Sequence, residues 1–314
     1  MTALPEYTEQ ELSHQTPAEL IDLLIENEDR APRNLIDACV KRGEEMVHYL
    51  QGLHDSGDLW QKEGLDGKWW LRLHTVMILG IIPGEQAGWL LPKMMHRMAI
   101  EEDDNLQEWL AGLWTQLFIN KPPGVLNALR ELGMDASLNC YSRYYAVETA
   151  TDLSAQLDEK VLNEALAWVA GIVANEEEDW ELRLFCSSKL LDYPREEYRA
   201  LLENMASRQS GWVLHFDEDD INKAYAEPNK RSLYLATHDA WSFYNPQAIA
   251  ERQQRWAKED EQARLHPLAG TLSEEDLQFY EAPYIRPEPK TGRNNPCPCG
   301  SGSGKKFKKC CQGK

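Results

Sequence analysis

Residues 69–100 read WWLRLHTVMILGIIPGEQAGWLLPKMMHRMAI, and this stretch decides the fold. Leu71, Leu73, Val76, Met77, Ile78 and Leu79 predict an apolar helix ended by Gly80 and Pro83, with Arg72 and His74 inside it. A second apolar helix follows through Leu90, Leu91, Met94, Met95 and Met98, and the acidic turn Glu101-Glu102-Asp103-Asp104 closes it. The cycle restarts at residues 106–118 with 123–132, again at 142–145 with 161–173, and once more at 182–184 with 198–205. Aligning Arg72, Trp109, Arg143 and Arg183 gives spacings of 37, 34 and 40 residues. That is the period of stacked helix pairs. Strand signals are nearly absent: residues 212–216 are the best candidate and read equally well as a connector. The expected fold class is all-α.

The helical pairs resemble HEAT repeats, which implies an α-solenoid. Tyr244-Asn245-Pro246 and the run from Ala250 to Trp256 add a similarity to a bacterial family of HEAT-like proteins that place such repeats before a cysteine-bearing tail. That resemblance implies no catalytic residues.

Ahead of the repeats, Thr16-Pro17-Ala18-Glu19 is a capping box with Pro at the first helical position, opening a helix to about Asn27. Pro32 opens a further helix whose apolar positions run from Leu35 to Leu50, and Gly57, Gly64 and Gly67 mark a loop after it. Behind the repeats, residues 217–226 predict a short acidic helix, 246–265 a long charged one and 273–280 a last short one. Pro283, Pro287 and Pro289 then make an extended linker. The expected divisions are a lead-in at 1–58, repeats at 59–228, charged helices at 229–281, a Pro-rich linker at 282–292 and a separate motif at 293–314.

A chain of 314 residues with 42% apolar residues and eleven Trp can build a large core. Residues 1–11 are polar and acidic, and no apolar run of about 18 residues occurs, so neither a signal peptide nor a membrane span is expected. Cys39, Cys140 and Cys186 lie far apart in helical patterns and read as ordinary buried thiols, consistent with a cytoplasmic protein. The formal charge of −19 is uneven: residues 286–314 hold eight Lys or Arg and one acid, a balance of +7, which leaves −26 on the rest. The body should repel nucleic acid, and the tail should attract anionic surfaces.

The tail, residues 292–313, reads GRNNPCPCGSGSGKKFKKCCQG. Cys297, Cys299, Cys310 and Cys311 can supply four thiolates to one tetrahedral Zn²⁺ without help from the rest of the chain. Pro296 and Pro298 restrict the first pair, and Gly300, Gly302 and Gly304 permit the tight turns that point sulfur atoms inward. Lys305, Lys306, Lys308 and Lys309 offset the negative charge of a four-thiolate zinc centre. A pair of disulfides, free thiols or a redox switch are the alternatives, but adjacent cysteines rarely bridge each other. This pattern resembles the SEC-C motif, the zinc-binding tail of the bacterial preprotein translocase ATPase SecA. It departs in having Asn295 where the family carries Asp, and in the extra Ser303-Gly304, which lengthens the loop between ligand pairs at little entropic cost. The resemblance implies a small zinc knuckle contacting the export chaperone SecB, ribosomes or anionic lipid, with Arg293 and the four lysines as contact residues.

No G-x-S-x-G, H-E-x-x-H, Walker or dinucleotide-binding motif is present, so no enzyme is expected. Gly300-x-Gly302-x-Gly304 lies inside the cysteine motif and lacks the strand and helix of a phosphate loop. His215 with Asp217, Glu218, Asp219 and Asp220 has the composition of a hard-metal site or an acid/base pair, although acids also favour the first turn of a helix. His74, on an apolar face, reads as a satisfied core histidine. The acidic clusters at 101–104, 176–179 and 217–220 lie 75 and 41 residues apart and suggest a ridge for a basic partner; polar turns facing water are the plainer reading. Trp60, Trp69, Trp70, Trp89, Trp109, Trp114, Trp168 and Trp180 read first as core, with a peptide groove as the alternative. The expected function is a non-enzymatic adaptor whose body holds one protein while the tail touches another. A nucleic-acid- or ribosome-binding tail and a hydrolase built from dispersed acids are the two rivals.

Overall fold

The structure is a computed structural model that describes residues 5–61, 66–101, 103–209, 215–228 and 239–265. The helix expected at 273–280, the linker and the cysteine tail lie outside the described residues, as does most of the strand candidate at 212–216. By compactness the chain divides into Met1–Arg252 and Gln253–Lys314. Every regular element among the described residues is helical, with no strand among them.

Two short sequence signals open the chain. Helices α1 (Glu9–Ser13) and α2 (Pro17–Asn27) each begin with a reciprocal capping box, Thr8 with Glu11 and Thr16 with Glu19. Thr16 N–H donates to the Glu19 carboxylate at 2.7 Å, and Glu19 N–H donates to Thr16 Oγ1 at 3.3 Å. Such a cap is worth about 1 kcal/mol. The apolar run from Leu35 to Leu50, expected as one helix, is two: α3 (Arg33–Lys41) and α4 (Glu44–Ser56). Gly43 breaks it at φ +55°, a conformation that side chains with a Cβ disfavour.

The deciding stretch forms α5 (Asp66–Ile81) and α6 (Glu85–Ile100). Gly80 does not end α5, as expected from the sequence, but lies within it. A Cβ there would fall 2.5 Å from Leu117 Cδ2 and 3.2 Å from Leu117 Cα, so the glycine lets the segment that carries Leu117 come close. The run 106–118 is likewise two helices, α7 (Asp104–Leu110) and α8 (Trp114–Phe118), broken at Gly112 with φ +75°. Then follow α9 (Val125–Met134), α10 (Cys140–Leu157), α11 (Glu159–Ala174), α12 (Trp180–Asp192), α13 (Arg199–Arg208) and α14 (Glu218–Ala226). The last described helix is α15 (Pro246–Leu265).

In the first unit, α2, α5, α8, α10, α12 and α14 pack in sequence as one row, and α4, α6 and α9 form a second row against it. α11 and α13 pack on α12. One apolar cluster runs from Leu12 to Leu153 and takes in Tyr244, and a second runs from Val147 to Ile221, so α10 belongs to both. That helix is buried on most of its surface, polar positions included. Thr149, Thr151 and Ser154 satisfy their hydroxyls by donating to the carbonyls of Tyr145, Val147 and Ala150, four residues back.

The α9–α10 and α11–α12 hairpins repeat the same bonds at a spacing of 40 residues. Arg143 Nε donates to Gly133 O at 3.0 Å, and Arg183 Nε donates to Val173 O at 2.9 Å. Asn139 and Asp179 cap the second helix of each pair by accepting from Ser142 N–H and Leu182 N–H. Asp103 caps α7 in the same way, accepting from Leu106 N–H. In this capping register Gln107, not Trp109, is the counterpart of Arg143 and Arg183, which corrects the alignment read from the sequence.

The chain then returns to its beginning. Ala240 N–H donates to Gln116 Oε1 at 2.8 Å, and Trp241 Nε1 donates to Met77 O at 3.1 Å. Tyr244 is buried, with its hydroxyl 2.9 Å from His74 Nδ1, and Arg252 Nη2 donates to Asp29 O at 2.8 Å. Residues 239–252 thus strap the first helices of the row.

Candidate functional site

Cys297, Cys299, Cys310 and Cys311, together with Arg293, Lys305, Lys306, Lys308 and Lys309, lie outside the described residues. Their donor set stands on its chemistry: four thiols in one short segment fit the four-thiolate shell of a structural zinc. Among the described residues no cluster of His, Cys, Asp or Glu could hold a metal ion, and no helix is long and apolar enough to cross a membrane. Cys39 and Cys186 are buried, and burial pushes both thiols up to about 12. Cys140 is only half-buried, contrary to the sequence reading, because it is the first residue of α10. Burial and the neighbouring Glu181 raise its thiol to about 11, so it is protonated at neutral pH.

The acidic turns serve the fold. Asp103 pairs with Arg72 at 2.5 Å as well as capping α7, and both side chains are nearly buried. The Glu178 carboxylate accepts from Arg143 Nη1 and Nη2, at 2.8 and 2.7 Å. That bond with Arg143 is what holds the Glu178 carboxyl below its usual range, against the cost of burial. Glu101 pairs with Arg97 and Glu176 with Arg208. At the third cluster Asp217 and Asp220 form a capping box, while His215 stacks edge-on against Phe185 at 5.1 Å. In each turn, at least one acid caps or pairs with a helix of the body.

A denser charged cluster escaped the sequence reading. Lys189 is fully buried, its Nζ 3.0 Å from Asp152 Oδ1, 2.7 Å from Asp192 Oδ2 and 3.4 Å from Glu148 Oε1. Tyr193 donates its hydroxyl to Asp152 Oδ1 at 2.8 Å, and Thr115 donates to Asp152 Oδ2 at 3.3 Å. Burial works hardest against the ammonium, yet Asp152, Asp192 and Glu148 outweigh it and carry Lys189 well above its usual range. This knot joins α8, α10 and α12, and its central pair, Lys189 and Asp152, exposes no surface, while Asp192 reaches the surface at its edge.

The tryptophans divide in a useful way. Trp60 and Trp114 are buried, and Trp69, Trp70, Trp109, Trp168 and Trp180 are half-buried against the apolar clusters. Trp89 is 44% exposed. It heads an open groove of about 840 Å³ between α6 and α9, closed at one side by His54 of α4. The α6 wall carries Trp89, Lys93, His96, Arg97 and Ile100, and the α9 wall carries Ala128, Glu131 and Leu132, with Asp135 just beyond. His96 Nε2 stands 3.9 Å from Asp135 Oδ2 across one end. His54 Nδ1 accepts from Trp60 Nε1–H at 3.2 Å, and its pKa is lowered chiefly by burial. The signal was present in the sequence: Leu90, Leu91, Met94, Met95 and Met98 define the buried face of α6, and Trp89 and Ile100 lie off it.

No family model matches the chain, and no solved structure matches it. Short segments match the protein translocase subunit SecA of several bacteria. The identity is 60% over 37 residues for Maridesulfovibrio salexigens, covering 12% of this chain and 4% of that protein. It is 70% over 30 residues for Nitratidesulfovibrio vulgaris, covering 10% and 3%, and 46% over 122 residues for Campylobacter hominis, covering 38% and 12%. The chain thus spans between 3% and 12% of the length of these translocase subunits. The matches are short and partial, and they are consistent with a SEC-C-type protein.

Proposed function

We propose that this protein is a non-enzymatic, cytoplasmic adaptor with two binding elements. The two rows of helices act as a HEAT-like solenoid that holds one protein. The tail acts as a SEC-C zinc knuckle, in which Cys297, Cys299, Cys310 and Cys311 hold the metal while Arg293, Lys305, Lys306, Lys308 and Lys309 meet a second partner, a SecB-like chaperone or the ribosome. The observation that carries this reading is the four-cysteine motif, supported by the short matches to a protein translocase subunit. Zinc would supply only a fixed fold for the tail; the lysines and Arg293 would supply the charge that a partner feels.

The test is an affinity capture from bacterial lysate with the intact protein and with a Cys310→Ser, Cys311→Ser variant. A partner that disappears with the two thiols identifies the tail as a recognition element, and partners that stay belong to the body. If both proteins retain the same partners in the same amounts, the tail has no recognition role and the two-element reading fails.

A further inference from the structure

We infer that the groove between α6 and α9 receives an amphipathic helix of a partner protein, about three turns long, with acidic residues on one edge and basic residues on the other. The inference rests on the reading of the body as a protein-holding element and names where and what it holds.

Trp89 and Ile100 are 44% and 54% exposed. They stand eleven residues apart on α6, which returns them to the same face about 16 Å apart, roughly three helical turns. Large apolar side chains left in solvent at both ends of one groove are the usual anchors of a docked helix, which presents residues at i, i+3, i+4 and i+7. Lys93, His96 and Arg97 fill the same stripe between them, and Glu131 and Asp135 oppose them from the α9 side. Lys93 and Glu131 are exposed and make no ion pair among the described residues. One wall is therefore basic, on a body that is otherwise strongly acidic, and the other is acidic. Complementary charge contributes specificity and orientation.

The walls also decide the conformation of the occupant. An extended peptide needs backbone partners such as a free sheet edge, and here both walls are helices whose own N–H and C=O groups are engaged. A helix satisfies its backbone internally and asks the groove only for side-chain contacts. Reversing a helix end to end exchanges its two edges, so one basic wall and one acidic wall fix its direction.

The test uses the full-length protein and three synthetic amphipathic helices of about three turns, identical on their apolar face. One carries Glu on one edge and Lys on the other, one carries Lys on both edges, and one carries Glu on both. Each bears a fluorescent label, and binding is read as anisotropy. The mixed-edge helix should bind at least about tenfold more tightly than either uniform one. Lys93→Glu, which leaves Arg97 as the one full cation of the α6 wall and sets an acid beside it, should narrow the preference for the mixed-edge helix over the Lys-edged one, and Ile100→Asp should weaken all three. Both positions are exposed, so the helical circular dichroism of the variants should match that of the wild type. Equal binding of the three helices, no binding, or binding indifferent to Ile100→Asp would overturn the inference. So would sedimentation of the intact protein as a dimer that Ile100→Asp splits, since a second copy would then be the occupant. None of these results touches the cysteine variant of the capture experiment, so the adaptor reading is judged separately.

Discussion

His74 is buried between Glu28 O, 2.9 Å from Nε2, and the Tyr244 hydroxyl, 2.9 Å from Nδ1. A carbonyl can only accept, so Nε2 carries the proton and Nδ1 accepts from Tyr244. Burial holds the imidazole down to about 4, with the bond to Glu28 acting against that and the Arg252 charge adding to it. Unfolded, the same group titrates near 6.5, so as pH falls the unfolded chain takes up the proton first. Stability present at neutral pH is lost between about 6.5 and 4, by about 3 kcal/mol in all. Urea unfolding at pH 7 and pH 5 should show about 2 kcal/mol of this loss in the wild type and a smaller one in His74→Gln, which cannot titrate. Lys189→Met should cost about 3–5 kcal/mol in the same assay, because Asp152 would stay buried without its cation. Adding Asp152→Asn should recover part of that cost. The histidine was legible in the sequence because it lies on an apolar face; the knot was not, because Asp152 and Lys189 are 37 residues apart and meet only once α10 and α12 are in register.

Turns and close approaches decide the helices as elements. The capping box at Thr16, the acidic start of α14 and the limits of α15 all follow from short-range signals, and short-range signals are what a sequence displays. The breaks at Gly43 and Gly112 were missed because apolar spacing continues through each of them, while the positive φ that ends the helix leaves no trace in the pattern. Gly133 acts through space and not through its dihedral angles: a Cβ there would lie 2.8 Å from Val147 Cγ2 and within 3.3 Å of the Trp168 ring. Gly133→Ala should therefore destabilise by about 1–3 kcal/mol through overpacking of α9 on α10 and α11. Gly171, inside α11, has nothing within 4 Å of its would-be Cβ. Gly171→Ala should instead stabilise by about 0.5–1 kcal/mol. Thermal melts of the two variants should move in opposite directions.

At the scale of the whole molecule, the two candidate binding elements were legible to different degrees. The tail declared itself, since four cysteines among glycines and lysines need no folded context to suggest a metal. The groove was only half-declared: the apolar spacing of α6 leaves Trp89 and Ile100 off its buried face, but only the packing of α6 on α9 sets a second wall opposite them. The acidic turns face water for the most part, as their plainer reading expected, but Asp103 and Glu178 are turned inward onto Arg72 and Arg143, which the sequence did not show. The adaptor account depends most on the tail being a metal-bearing unit separate from the helical body. Native mass spectrometry of the full-length protein, with and without chelator, measures that directly when combined with a thermal melt followed at the helical circular dichroism signal. The account predicts about one zinc per chain, removed by chelator or by Cys310→Ser with Cys311→Ser, and a body that melts at an unchanged temperature. A protein isolated without zinc that also fails to take it up, or a body whose melting falls when the metal leaves, would contradict it.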